Sequence, residues 1–268
     1  MADEHIGDIE KVGVFLGYSR DEYPLEEIRQ LFADHGIEMC LLEDDRQVPA
    51  GLSLIIAMGG DGTALKTLAR FADFPVLAVN YGTVGFLTAG DRKDLQGIIA
   101  RLKAGDFIIS ERLVLDCTYP QGEVCVFNEA VVRTRNRMVY TDVFVDGTKI
   151  RTIVGDGVVV GTPTGSTGLL LSGGAPIVMP DVRCMILDGI YEYNFTSRAL
   201  ILPPEAQVRL RITAETRERT IYLTVDGNLL GELTPGQEVN IRLSQRRARL
   251  LYFESDYFFR NLSSKLSW

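Results

Sequence analysis

The hydrophobic pattern of the chain changes near residue 108, and this change limits the folds that the sequence can adopt. From Lys11 to about Phe107, short apolar runs alternate with segments whose apolar residues recur at helical spacing. After about Ile108, strand-like runs are separated by turns rich in glycine, asparagine and proline. Because the first pattern is typical of a sheet with crossover helices and the second of packed antiparallel sheets, the sequence predicts two domains.

The first predicted domain is α/β and Rossmann-like, and it covers residues 1–108. The second is a β-sandwich over residues 109–255, in which Asp146-Gly147 is typical of a hairpin turn. We expect residues 256–268 to form a short helix that packs back on the first domain. Within the sandwich, the pattern predicts one strand over Glu123–Arg135 and two later strands, Glu238–Leu243 and Ala248–Phe253.

A glycine-rich turn, Gly59-Gly60-Asp61-Gly62-Thr63, lies between the apolar run Leu52–Met58 and an amphipathic segment. Glycine lets a ligand approach the backbone, and a helix N-terminus offers unpaired N–H groups, so this turn suits a phosphate. The charge of Asp61 opposes phosphate binding unless the carboxylate bridges through a metal or takes a proton from an attacking hydroxyl. The alternative is that Asp61 only caps the helix. Lys66 is a candidate counter-charge for phosphate, and the alternative is a solvated helix lysine.

A second cluster of glycine and hydroxyl residues lies in the β-rich half. It comprises Gly155-Asp156-Gly157, the run from Gly161 to Gly168 and Ser172–Pro176. Such donors suit the phosphates and riboses of a nucleotide, and Asp156 could accept a hydrogen bond from a ribose hydroxyl. The alternative is a turn without a ligand. In a strand-like run, Asn128-Glu129 is costly to bury unpaired, so this pair needs a partner, either a nucleotide edge or a neighbouring loop.

Charge and composition exclude several classes of function. The formal net charge of -8 argues against nucleic-acid binding, which needs a basic face. Two histidines and four cysteines without a Cys-x-x-Cys pair provide little material for a histidine-based metal site or a Ser-His-Asp triad. We expect reduced thiols, no membrane span, no signal peptide and a cytoplasmic location.

Together these clusters resemble the motifs of the NAD kinases. That family carries Gly-Gly-Asp-Gly-Thr, Asn-x-Gly-x-x-Gly-Phe-Leu, Asn-Glu, and Gly-Asp-Gly followed by Thr-Pro-Thr-Gly-Ser-Thr. The matching segments here are Gly59–Thr63, Asn80–Leu87, Asn128-Glu129 and Gly155–Thr167. The resemblance spans nearly the whole chain and implies transfer of the terminal phosphoryl group of ATP, or of polyphosphate in some members, to the 2′-hydroxyl of the adenosine ribose of NAD.

The resemblance also implies roles for individual residues, with Mg²⁺ neutralising charge. Asp61 would take the proton from the 2′-hydroxyl. The donor phosphates would be held by Gly59, Gly60, Gly62 and Thr63. The NAD site would be formed by Phe86, Asn128, Glu129, Asp156, Thr164 and Thr167. Because family members close part of the site with a partner chain, the resemblance further implies a homodimer or homotetramer.

The sequence departs from the family at two places. The family's Ala-Tyr after Gly-Ser-Thr is replaced by Gly168-Leu169, and the stacking that the tyrosine would provide is worth about 1–3 kcal/mol in comparable sites. A Pro-x-x-Pro-His-type segment is replaced by Gly189–Asn194, whose Tyr191 or Tyr193 is a candidate substitute from a neighbouring subunit. Two alternatives therefore remain: a kinase for another hydroxyl substrate, such as a lipid or nucleoside, and a non-catalytic dinucleotide sensor. Donor preference, NAD against NADH, and feedback by NADP(H) also remain open.

Overall fold

A computed structural model describes residues 6–43, 48–82, 85–194 and 197–266. Thr83 and Val84, inside the predicted Asn80–Leu87 motif, lie outside these described residues. The chain divides into two compact units, residues 1–111 with 248–268, and residues 112–247. The observed boundaries follow residues 111 and 247, and they differ from the predicted ones at 108 and 255. Each observed boundary falls inside a long strand.

The first unit is an α/β unit built on a parallel sheet. Its elements are β1 (Lys11–Leu16), α1 (Leu25–Asp34), β2 (Glu38–Leu42), β3 (Leu54–Gly59), α2 (Asp61–Arg70), β4 (Val76–Asn80), β5 (Gly90–Asp91) and α3 (Leu95–Lys103). The strand order is β2-β1-β3-β4, all parallel, and β5 adds to β4. The chain therefore changes direction of travel across the sheet between β1 and β3, which makes their carboxyl ends a topological switch point.

Apolar residues on both faces of this sheet are buried, as expected for parallel strands covered by helices. On one face, α1 and α3 contribute Ile28, Phe32 and Ile99 to a single core with the strands. On the other face, Phe71 at the end of α2 packs with Phe15 in a second cluster. Gly36, which follows the C-cap of α1, has a φ of +67°, a left-handed conformation that ends the helix.

The second unit is a β-sandwich. Its elements are β6 (Ile108–Tyr119), β7 (Gly122–Val126), β8 (Glu129–Arg133), β9 (Val139–Val145), β10 (Thr148–Gly155), β11 (Gly157–Gly161), α4 (Leu169–Ser172), β12 (Met185–Ile190), β13 (Leu200–Leu202), β14 (Val208–Ile212), β15 (Ile221–Val225), β16 (Asn228–Leu233) and β17 (Glu238–Tyr252). One sheet has the order β10-β9-β14-β17-β6-β7, and the other has the order β13-β12-β11-β8-β15-β16. Their apolar residues share one core that includes Leu115, Val160, Leu210 and Leu223.

The last helix, α5 (Tyr257–Leu266), belongs to the first unit. Its Phe258 and Leu262 are buried. Its Asn261 Nδ2 donates to the carbonyl oxygens of Phe86 and Thr88 at 3.2 Å each. The C-terminal segment therefore packs back on the α/β unit, and the prediction of an α/β unit followed by a β-sandwich is confirmed.

Two predicted strand patterns were wrong. The expected strand Glu123–Arg135 is two strands, β7 and β8, which belong to different sheets. The expected pair at 238–243 and 248–253 is one strand, β17, because Ser244 is buried and polar 245–247 continue the extended backbone. Over the described residues, no helix is long and apolar enough to cross a membrane. All four cysteines are free thiols.

Candidate active site

In the α/β unit, the glycine-rich turn joins β3 to α2 at the switch point. Gly59 is the last residue of β3, and Gly60 is the N-cap of α2 with extended backbone. A Cβ built on Gly60 or Gly62 would meet nothing within 4 Å, so the space beside both residues is open. In the first turn of α2, Thr63 donates its N–H to the Gly60 carbonyl oxygen at 2.9 Å, whereas the N–H groups at the very start of a helix have no acceptor within it. The turn can therefore offer backbone N–H groups to an anion.

Asp61 does not cap α2, because Gly60 occupies the N-cap position and Asp61 is the first helical residue. Its partly buried carboxylate accepts hydrogen bonds from the N–H of Phe86 at 2.8 Å and of Leu87 at 3.0 Å. A Cβ on Gly85 would lie 1.9 Å from Asp61 Oδ1, so only glycine fits there. The Asp61 carboxylate thus holds the end of the Asn80–Leu87 motif against the Gly59–Thr63 turn. Because an ionised carboxylate has about four acceptor positions, it can still accept a proton from a hydroxyl.

Other predicted phosphate residues occupy different environments. Thr63 is only 8% exposed. A Cβ on either Gly17 or Gly59 would lie 2.1 Å from its Oγ1, so the Thr63 side chain fills the space between the ends of β1 and β3. Its backbone N–H donates to the Gly60 carbonyl oxygen and so closes the turn. Lys66 is exposed on α2. Phe86 is partly buried, with Lys265 Nζ 6.0 Å from its ring centroid.

In the sandwich unit, Asp226 fixes the backbone of the Asn-Glu pair. Its carboxylate accepts from the N–H groups of Phe127 at 3.0 Å, Asn128 at 2.6 Å and Glu129 at 3.2 Å. These bonds satisfy the N–H groups where the chain leaves β7 and enters β8, which is why the predicted single strand is divided. Asp226 was not among the predicted site residues, because Asp226-Gly227 carries the ordinary signal of a hairpin turn. The turn is indeed left-handed at Asp226, with φ of +48°.

The second glycine and hydroxyl cluster packs on the same pair. Thr162 donates its N–H to the Asn128 carbonyl at 2.9 Å and its Oγ1 hydrogen to the Phe127 carbonyl at 2.6 Å. A Cβ on Gly165 would lie 2.3 Å from the Asn128 carbonyl oxygen, so this close approach requires glycine. Thr162 and Gly165 of this cluster therefore pack around Asn128-Glu129. We call this packed region the cradle.

Two acceptor oxygens in this cradle have no hydrogen-bond partner among the described residues, Asn128 Oδ1 and Glu129 Oε2, and both are buried. Burial, followed by the nearby charge of Asp226, raises the pKa of Glu129 to about 7. A Cβ on Gly168 would stand 3.3 Å from Glu129 Oε2. Since unpaired buried acceptors are costly, the cradle favours a ligand that brings hydroxyl or amino hydrogens.

The remaining predicted NAD residues lie at two separate places. Thr164 and Thr167 belong to a 3₁₀ helix, Thr164–Thr167, and Thr167 Oγ1 donates to the Thr164 carbonyl at 3.3 Å. Thr164 Oγ1 is buried and accepts from Arg112 Nη1 at 3.3 Å. Asp156 is exposed and precedes the other end of β11, where Gly157 pairs with Arg133 while Gly161 pairs with Glu129. Because that offset is about 13 Å along the strand, the structure does not bring Asp156 to Glu129.

The ionisation of Glu129 predicts a dependence of stability on pH. The pKa of Glu129 is raised from 4.5 to about 7 in the folded protein, so between these values the unfolded chain loses a proton that the folded chain keeps. The free energy of unfolding should therefore fall as the pH rises through this window. Above pH 7 the ligand-free Glu129→Gln variant should exceed the wild type in stability by on the order of 3 kcal/mol, and the gain should vanish near pH 4. Denaturant unfolding at several pH values measures this.

A matched control is Glu232→Gln, which changes an exposed carboxylate of the same unit. This variant should follow the wild-type pH dependence. Equal behaviour of the two variants would show that Glu129 ionises normally and would contradict the prediction.

Comparison with known proteins matches both halves of the chain. The profile of the ATP-NAD kinase N-terminal domain covers residues 28–107, and that of the ATP-NAD kinase C-terminal domain covers residues 127–253. Among curated proteins, the NAD kinase of Citrifermentans bemidjiense is 34% identical over 84% of this chain and 81% of its own length. That of Geobacter metallireducens is 33% identical over 83% and 81%. That of Wolinella succinogenes is 30% identical over 98% and 97%.

Solved structures share the fold. Yeast NADH kinase, solved with NADH, gives a TM-score of 0.87 at 21% identity, covering 98% of this chain and 88% of that one. An NAD kinase from Archaeoglobus fulgidus, solved with ATP, gives a TM-score of 0.78 at 22% identity, covering 95% and 99%. The fold, the glycine-rich turn and the domain matches define a phosphotransferase of the kinase class. The chain belongs to the NAD kinase family.

Proposed function

We propose that this protein phosphorylates NAD, transferring the terminal phosphoryl group of ATP to the 2′-hydroxyl of the adenosine ribose to give NADP. The observation that carries the acceptor assignment is the pair of buried, unpaired oxygens on Asn128 and Glu129. A ribose presents hydroxyl hydrogens and an adenine presents amino hydrogens, which are the donors that these oxygens lack. Family membership supplies the reaction class, and curated relatives of similar length are named NAD kinases.

The donor assignment rests on the β3–α2 turn. The turn formed by Gly59, Gly60, Gly62 and Thr63 would hold the phosphates of ATP, and the open space beside Gly60 and Gly62 supports this. Asp61 would take the proton of the attacking hydroxyl, since its carboxylate lies at the same turn. Phosphoryl transfer of this kind depends mainly on positioning and charge neutralisation. Lys66, exposed on the same helix, stays a candidate counter-charge.

The NAD assignment extends to the other predicted residues. Thr164, Thr167 and Phe86 would shape the dinucleotide pocket, and Gly168 leaves room beside the Glu129 carboxylate. Asp156 would bind the nicotinamide riboside. This role places the nicotinamide riboside at the end of β11 opposite Glu129. We also include a homodimer or homotetramer in the proposal, as the resemblance to the family implies. A cytoplasmic location agrees with the four free thiols.

The divalent metal would be carried by the donor rather than by a protein cage. No group of three or more His, Cys, Asp and Glu side chains could hold a metal among the described residues. Mg²⁺ commonly binds through substrate phosphates with one or two carboxylates, and the turn offers one, Asp61. These residues fit a metal bound with ATP, where it would neutralise the charge of the phosphates.

Chelation of Mg²⁺ should separate the reaction from the stability of the protein. With excess EDTA, NADP formation from ATP and NAD should fall at least 100-fold, because the phosphate charge is no longer neutralised. The melting temperature and NAD binding should not change, since no protein cage is lost. Thermal denaturation and titration calorimetry measure these quantities. A lower melting temperature in EDTA would show a resident structural metal and contradict the proposal.

The first test of the function is incubation with MgATP and NAD, with NADP detected by an NADP-specific dehydrogenase. NADP should accumulate in proportion to enzyme and time. Absence of NADP from folded protein, with polyphosphate and NADH also tried, would contradict the proposed acceptor. A screen of other hydroxyl acceptors with labelled ATP would then identify the substrate.

A further inference from the structure

Tyr18 lies at the switch point of the α/β unit but has no role in the assignments above. It follows Gly17, whose N–H donates to the Met58 carbonyl at 2.9 Å just after β1 ends. Ligands of open α/β sheets bind outside the carboxyl ends of the strands at the switch point, here β1 and β3. Tyr18 follows the carboxyl end of β1 and therefore lies beside that crevice.

The ring of Tyr18 extends across the end of β3. Its Oη lies 3.3 Å from the position of a Cβ built on Gly82, a residue that follows β4. Since β3 lies between β1 and β4 in the sheet, a side chain that starts after β1 and ends near Gly82 passes the end of β3. Gly59 and Gly60 begin the phosphate turn at that point. The ring therefore lies at the same edge of the sheet as the start of the turn.

The other side of the ring is backed by aromatic side chains that are buried or half-buried. Tyr18 stacks on Tyr23 with centroids 6.4 Å apart and an interplanar angle of 27°. Tyr23 is 5% exposed, donates its hydroxyl to the Met58 carbonyl at 2.8 Å, and contacts Tyr81 with centroids 4.7 Å apart. Tyr18 itself is 48% exposed. The arrangement is a fixed aromatic platform with one open ring beside an anion-binding turn.

We propose that Tyr18 stacks against the purine base of the donor nucleoside triphosphate whose phosphates bind the β3–α2 turn. The proposal rests on the proposed function and extends it, because it assigns the base of the donor as well as its phosphates. An aromatic ring provides a flat apolar surface for a base, and such stacking has measurable value per base. Inorganic polyphosphate has no base, so Tyr18 distinguishes the two donor classes.

The Tyr18→Ala variant should raise the KM for ATP about 5- to 100-fold and leave the KM for NAD within about twofold. Tyr18→Phe keeps the ring and should leave both constants within about twofold. The affinity for inorganic triphosphate, measured by calorimetry, should be the same in all variants. The matched control is Phe259→Ala, which removes another exposed aromatic side chain of the same unit and should change neither KM.

A direct readout uses Tyr18→Trp. The chain contains one tryptophan, so the introduced indole is readily observed by fluorescence. Its emission should change on addition of ATP and stay constant with inorganic triphosphate. This experiment needs no NAD, so it tests the inference even if NADP is not the product.

An unchanged KM for ATP in a folded Tyr18→Ala variant would overturn the inference while leaving NAD kinase activity intact. Loss of ATP affinity in Tyr18→Phe would show that the hydroxyl, not the ring, makes the contact, and would also overturn it. A rise in the KM for NAD alone would place the acceptor, not the donor, on this ring.

Discussion

The Asp61→Asn variant is expected to lower kcat for NADP formation about 10²- to 10⁴-fold, because it removes the general base of the proposed reaction. Its KM for NAD should change far less, since binding relies on other groups. Steady-state kinetics with the coupled NADP assay measures both. Full activity of Asp61→Asn would exclude the base assignment.

The hydrogen bonds of Asp61 make the control important. An asparagine at this position has one acceptor oxygen, so its NH₂ group would face one of the two N–H donors of Phe86 and Leu87. Calorimetric binding of NAD and ATP to the variant separates lost chemistry from a displaced 85–87 segment. Asp73→Asn removes an exposed carboxylate of the same unit and should retain wild-type kcat. Loss of nucleotide binding in Asp61→Asn would show that its tethering role dominates.

The Asp226→Ala variant should combine a loss of stability with a loss of NAD affinity. Three backbone N–H groups would lose their carboxylate acceptor, and each unsatisfied buried donor costs about 1–3 kcal/mol. We expect destabilisation of on the order of 3 kcal/mol and a KM for NAD raised at least tenfold, because Asn128 and Glu129 lose their fixed position. Denaturant unfolding and steady-state kinetics measure the two effects.

The control for Asp226→Ala is Asp146→Ala, since Asp146 occupies the same type of turn. Both residues precede glycine and have φ near +48°, at +49° for Asp146 and +48° for Asp226. The Asp146 carboxylate accepts from one backbone group, the N–H of Gln207 at 2.8 Å. Both alanine variants thus carry the same backbone strain. Only Asp226→Ala should raise the KM for NAD. An equal effect of both on the KM for NAD would contradict the positioning role.

A second readout separates positioning from general stability. The Asp226→Asn variant removes the charge that contributes to the raised pKa of Glu129. The pKa of Glu129 should then fall. Because Glu129 is proposed to bind NAD, the midpoint of the pH dependence of NAD binding should move to lower pH. Asp146→Asn should leave the midpoint in place. A purely structural role for Asp226 would leave it unchanged in both variants.

Local sequence signals predicted most of the fold. The alternation of strands and helices up to residue 107 and the apolar run that becomes β3 were predicted, because apolar spacing acts within a few residues. The turns at 146–147 and 226–227 are also local. The strands β12, β13 and β16 were not specified by such signals, because they are short and their positions depend on pairing with distant strands.

The site was predicted in its residue types but not in its contacts. The sequence indicated that Asn128-Glu129 needs a partner, but the group that fixes its backbone, Asp226, is 97 to 99 residues away. Likewise Thr63 was expected to help hold the donor phosphates, but the sequence did not reveal that its side chain fills the space beside Gly17 and Gly59. Spacing along the chain reveals neither the Asp226 contacts nor the position of the Thr63 side chain, because both depend on tertiary packing.

The long separation between Asp226 and the Asn-Glu pair also bears on how the protein matures. A nascent chain that has emerged only as far as β14 already contains every residue assigned to NAD, yet it lacks the carboxylate that accepts from the backbone N–H groups of Asn128, Glu129 and the preceding Phe127. Contacts between such distant residues form late in folding, because a long loop must close first. Binding of NAD should therefore not stabilise the early stages of synthesis, and a truncated product without the β15–β16 hairpin should carry the recognised motifs but bind NAD poorly.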